Sequence, residues 1–163
     1  MTVNTILLCL CGLALLYAAA HDVAARTIPN TVSLLVGVGG AAQAVRHAHP
    51  LAAVSVAGAI LLAGLVAWRT SLVGGGDVKL LTVTSLWVDP ARVPSMLLNM
   101  SIAGGALALL YLALDRLPLA AWPDKPQHLV ARIARVERRR IRRRSLPYGV
   151  AIAAASLVCL ARG

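Results

Sequence analysis

The sequence predicts an all-α membrane protein: one bundle of six transmembrane helices, with a basic cytoplasmic loop and interfacial helix before the last span. Three observations carry this. Of 163 residues, 59% are hydrophobic and 13% charged, where a soluble domain is roughly 45–50% apolar. The apolar residues come in blocks of roughly 17–22, about the length a helix needs to cross ~30 Å of hydrocarbon. The charged residues cluster between those blocks. The whole chain, 1–163, therefore reads as a single membrane domain.

The spans are expected at about 5–20, 32–45, 51–68, 78–88, 93–114 and 146–160. The second and fourth are short and need polar flanks or burial against neighbours to cross. Ala18-Ala19-Ala20 before His21 has the small residues of a leader-cleavage site. No Lys or Arg precedes the first apolar block, however, and a signal peptide normally starts positive. The first block is read as a retained helix. Glycines 37, 39, 40, 104 and 105 fall inside spans, where small residues let helices approach closely. Cys9, Cys11 and Cys159 lie in apolar blocks without a CxxC pair, so they read as buried small hydrophobes rather than zinc ligands or disulfides.

Net charge is +10. With six spans, the loops after the first, third and fifth hold thirteen of the sixteen Lys and Arg. The positive-inside rule places those loops in the cytoplasm and both termini outside. Most of this charge sits in Arg132–Arg144. Gln127–Arg144 reads as a helix in which Leu129, Val130, Ile133, Val136 and Ile141 share about 140° of the surface at 100° per residue. A basic interfacial helix on anionic lipid fits. Nucleic acid is not expected as a partner, because the chain has no Phe and only three Tyr to stack on bases.

Carboxylates in or near a membrane are costly and mark function by default. Of the six acids, Asp89 and Asp115 read as turn or interface residues, and Asp124 and Glu137 lie in the basic loop. Asp22 and Asp77 differ. Asp22 closes the first span, with Arg26 four residues on, Pro29 to stop the helix and Asn30 to cap the next. Asp77 follows Gly74-Gly75-Gly76 and precedes Lys79 at the start of the fourth span. Both carboxylates fall on the cytoplasmic side at one depth. A facing pair shares one proton across neutral pH, so one member can activate water while the other protonates a carbonyl oxygen. No metal-ligand set and no nucleophile elbow competes; His21, His47, His49 and His128 are scattered. No metal and no cofactor is expected.

The segments Asp22-Val-Ala-Ala-Arg-Thr-Ile-Pro-Asn30 and Gly74-Gly-Gly-Asp-Val-Lys79 resemble the D-x-x-x-x-x-I-P-N and G-x-G-D-x-K patterns of the type IV prepilin peptidases, a family of GxGD intramembrane aspartic proteases. Leu146-Pro-Tyr-Gly-Val-Ala-Ile152 is similar to the family's closing P-[FY]-G-x-A segment. The resemblance implies that Asp22 and Asp77 are catalytic. It also implies that Gly74, Gly76, Lys79, Arg26, Pro29 and Asn30 belong to the motif, with the two glycines letting substrate approach Asp77. The implied reaction removes the leader of a prepilin or pseudopilin at the cytoplasmic face of the bacterial inner membrane.

Larger members carry a cytoplasmic domain with paired CxxC motifs and methylate the new N-terminus. This chain looks like the short form associated with Flp-type pili, and methylation is not expected of it. The Arg-rich loop departs from the family pattern. Three rival readings stand beside this one: a non-catalytic component of a pilus or secretion assembly, a small proton- or cation-coupled transporter, and a GxGD protease with another substrate class.

Overall fold

The computed structural model describes residues 3–46, 49–116 and 148–161. Among them are six α-helices and no strand: α1 (Val3–Ala25), α2 (Asn30–Ala44), α3 (Pro50–Arg69), α4 (Gly75–Ser85), α5 (Val93–Arg116) and α6 (Tyr148–Ala161), with a 3-10 turn at Pro90–Arg92 leading into α5. The expected basic helix over Arg132–Arg144 lies outside the described residues. The core and the candidate site belong to one compact unit, Met1–Ala103 with Pro147–Gly163. The second unit, Gly104–Leu146, is described only as the continuation of α5 to Arg116.

Three helical stretches, not six, are long and apolar enough to cross a membrane: Thr5–Ala25, Pro50–Arg69 and Pro90–Ala113. The other three are short, at 15, 11 and 14 residues for α2, α4 and α6, and of these α6 is the apolar one. At 1.5 Å per residue, α4 spans only about half of ~30 Å of hydrocarbon. Leu34, Val38, Leu62 and Leu72 are more than three-fifths exposed. Outward-facing apolar side chains on so many faces fit lipid rather than water as solvent. The chain is a helical membrane protein.

Two helix ends differ from the sequence reading, and both bear on the site. The first helix does not stop at residue 20; it runs through His21 and Asp22 to Ala25. Hydropathy falls there, but nothing before Arg26 prevents helical backbone. The fourth helix starts at Gly75 rather than Val78, so the glycines form its cap and first turn. None of the described glycines has positive φ. Their role is close approach.

The short helix α4 packs against α2, α3 and α6, and α1 packs against α2 and α6. One core cluster joins Leu15 and Ala18 of α1, Val32 and Val36 of α2, Leu80 of α4 and Ile152 of α6 with Trp87. A second gathers Val88, Val93 and Met96 with Ala155 and Cys159. Glycines set the spacing. A Cβ on Gly40 would lie 2.9 Å from the Val83 carbonyl and 3.0 Å from Leu86 Cβ. A Cβ on Gly64 would strike Val78 Cγ1 at 2.6 Å. Through this gap the Trp87 indole N–H donates to the Val36 carbonyl at 2.8 Å. The buried hydroxyls of Thr84, Ser85 and Ser156 donate to carbonyls of their own helices at 2.6–2.7 Å, which satisfies them in apolar surroundings.

Two glycine substitutions should therefore act with opposite sign. Gly40→Val should destabilise by about 1–3 kcal/mol through overpacking. Gly58→Ala, where nothing lies within 4 Å of the added carbon, should stabilise by about 0.5–1 kcal/mol through helix propensity. Denaturant titration of the folded fraction in detergent measures both.

Candidate active site

Asp22 sits in the last turn of α1 and is 6% exposed. The helix is stopped by Arg26, whose φ of 57° lies in the left-handed region, a conformation that disfavours L-residues by about 1–2 kcal/mol. The Arg26 N–H still donates to the Asp22 carbonyl at 2.8 Å. Arg26 thus leaves the helix rather than continuing it as an i+4 neighbour, though its charge stays within electrostatic reach of the Asp22 carboxyl.

The turn that follows is fixed by His21. Its Nδ1 lies 2.7 Å from the Thr27 carbonyl, and since a carbonyl only accepts, Nδ1 carries the hydrogen. Pro29 stands at the N-cap of α2, and its carbonyl accepts from the Val32 and Ser33 N–H groups at 3.1 and 3.4 Å. The Asn30 side chain does not cap the helix. Its Oδ1 accepts instead from Lys79 Nζ at 3.1 Å, which ties the first motif to the second. Lys79 and Asn30 are joined to each other at the exposed edge of the site.

Asp77 is the third residue of α4, with Gly74 at the N-cap. Its carboxyl reaches back to the Gly74 N–H, the return half of a capping box. The three glycines make room for three different neighbours. A Cβ on Gly74 would lie 2.9 Å from Asp77 Oδ2, one on Gly75 3.3 Å from Trp68 Nε1, and one on Gly76 3.2 Å from Ile28 Cβ. Gly74 and Gly76 thus make room for the Asp77 carboxyl and for Ile28.

Asp77 accepts from the Gly74 N–H at the start of α4 and lies within electrostatic reach of Asp22 at the end of α1. Asp22 Oδ2 accepts a hydrogen bond from the Gly149 N–H, at the start of α6, at 2.8 Å. Beside Asp77 lies a cavity of about 300 Å³ between α3, α4, α5 and α6. Its walls are apolar, including Gly64, Leu81, Leu97 and Ile152, and its polar atoms come from Asp77 and Tyr148. Sequence reasoning missed the contacts of His21 and Gly149. The Pro-Tyr-Gly run was a signal for Gly149, but nothing in the spacing says that it meets Asp22.

Among the described residues no group of three or more His, Cys, Asp or Glu is placed to hold a metal ion. What the fold and site define is a helical membrane protein with a buried Asp22 and a half-buried Asp77, the latter beside an apolar cavity. The model of the type IV leader peptidase family matches residues 9–109, and the chain belongs to that family. Membership makes it a peptidase-family hydrolase. The matched stretch contains Asp22 and Asp77 and ends before α6. No curated protein and no solved structure matches the chain.

Proposed function

We propose that the chain is a membrane-embedded aspartic endopeptidase that removes the leader of type IV prepilins, of the Flp type, at the cytoplasmic face of the bacterial inner membrane. One observation carries the reading: carboxyls from two separate motifs both stand at the start of α6, Asp22 accepting from the Gly149 N–H and Asp77 lining one cavity with Tyr148. The family match supports it, as does the apolar cavity next to Asp77, which suits an unwound apolar segment of substrate. The rival transport reading fares worse, since such sites favour the bilayer midplane and these acids occupy the last turn of α1 and the first turn of α4.

The pair works with one proton. The ionised carboxylate takes a proton from water, and the water oxygen attacks the scissile carbonyl carbon. The neutral carboxyl gives its proton to the carbonyl oxygen, which yields a gem-diol. On collapse, the second carboxyl takes back a proton from one diol hydroxyl and the first protonates the amide nitrogen. The C–N bond breaks, and the pair returns to its starting state.

In this reading all six helices cross the membrane, with short α4 sheltered by α2, α3 and α6. Both termini face outward, and Arg132–Arg144 meets anionic lipid on the cytoplasmic side. Lys79 and Asn30 brace the two motifs. Arg26 and Pro29 shape the turn after Asp22.

Cleavage of a co-expressed Flp-type prepilin, followed by gel shift, tests the proposal. The native chain should cut. Asp22→Asn and Asp77→Asn should each lower the rate by at least ~10²-fold while still accumulating in the membrane. Activity should fall in alkali as the pair loses its shared proton and fall again in acid as the second carboxyl gains one. A flat profile, or strong inhibition by EDTA, contradicts the mechanism.

A further inference from the structure

We infer that Gly149 is a positioning residue for Asp22, and that its backbone N–H makes Asp22 the ionised, water-activating member of the pair and Asp77 the proton holder. This rests on the peptidase reading and deepens it by giving the two carboxyls different tasks.

The geometry is specific. Gly149 is the second residue of α6, so its N–H is among those left without an intrahelical acceptor. That N–H donates to Asp22 Oδ2 at 2.8 Å, and both residues are buried. The acceptor comes from α1, so Asp22 caps a helix far from it in sequence. A backbone N–H only donates. It therefore favours the charged form of the oxygen it meets, and the positive end of the helix dipole adds to this.

Gly149 is also needed for space. A Cβ there would lie 2.9 Å from Asp22 Oδ2, 3.0 Å from its Cβ and 3.1 Å from its Cγ. No rotation of a flexible tip relieves contacts with the root of the Asp22 side chain, so any side chain at 149 must displace the carboxyl.

The surroundings of the two acids are unequal. Asp22 faces the Gly149 N–H from α6, Arg26 and His21 from the end of its own helix, and Asp77 from α4. Helix α2, also packed on α1, carries no titratable side chain. Asp77 faces Asp22 and the Gly74 N–H, with Tyr148 across the cavity and Arg69 exposed in the last turn of α3. Each acid accepts from a helix N-terminus, but the Arg26 charge stands beside Asp22 and not among the groups acting on Asp77. The first proton therefore goes to Asp77, and Asp22 remains to deprotonate water.

Two variants test this. One is Gly149→Ala. The other exchanges the Tyr148–Gly149 amide for an ester, with glycolic acid placed at 149 in cell-free translation into lipid nanodiscs. The ester deletes the N–H without adding bulk, and decides the matter if the alanine variant fails to fold. Steady-state cleavage across acid and alkaline pH should show kcat lowered by on the order of 10²-fold, with KM nearly unchanged. The acid limb of the profile should move to higher pH and the alkaline limb should stay. Gly58→Ala should leave both limbs in place. An ester variant with native kcat and native limbs overturns the inference while the peptidase reading stands.

The polarity of the pair is also readable without activity, by infrared titration of the carboxyl bands. The band protonating at higher pH should vanish in Asp77→Asn and persist in Asp22→Asn. The reverse assignment overturns the inference. If the expected order holds but the native chain leaves prepilin whole, the peptidase reading fails and the polarity of the pair survives.

Discussion

Holding two carboxyls side by side inside an apolar bundle is the constraint from which the rest of the site follows. An isolated charge in such surroundings loses several kcal/mol of hydration, and a second one nearby adds repulsion. The structure answers with backbone donors. Gly149 brings a helix N-terminus to Asp22, and Gly74 brings another to Asp77. Both donors are backbone groups of glycine, where a side chain would occupy the space that the carboxyl needs.

The same economy of space governs the packing that carries α4. This helix is too short to cross hydrocarbon unaided, and it carries Asp77. Its position is held by Gly40 against the Val83 carbonyl, Gly64 against Val78, and Trp87 hydrogen-bonded to Val36. These contacts lie along α2 and α3, the one at Gly64 in the wall of the cavity beside Asp77, and they fix how far α4 slides and so where Asp77 stands. Lys79 and Asn30 clamp the exposed end of the same interface. A change in these glycines thus reaches the site through helix position.

Much of this was legible in the sequence, and for physical reasons. Asp22 and Asp77 stood out because acids are rare in apolar blocks, and the glycines before Asp77 marked a close approach. What approaches was not legible: Ile28 and Trp68 come from elements whose orientation depends on the whole bundle. Helix boundaries were misplaced where hydropathy and backbone disagree. Polar His21 and Asp22 remain helical because Arg26, not polarity, ends α1. The six expected spans became three long helices and three short ones, since block length in sequence does not say which residues cap and which coil. The meeting of Gly149 with Asp22 links opposite ends of the chain, and local spacing carries no record of such a contact.

The proximity of the Asp22 and Asp77 carboxyls can be measured directly. Asp22→Cys and Asp77→Cys would be combined in a chain whose native Cys9, Cys11 and Cys159 are replaced by alanine. A short bis-thiosulfonate would then be applied in native membranes, with proteolysis between the helices to reveal linkage. The account predicts that the two fragments stay joined until reduction. Two reactive cysteines that never link would contradict the pairing, and with it the shared proton on which the proposed chemistry depends.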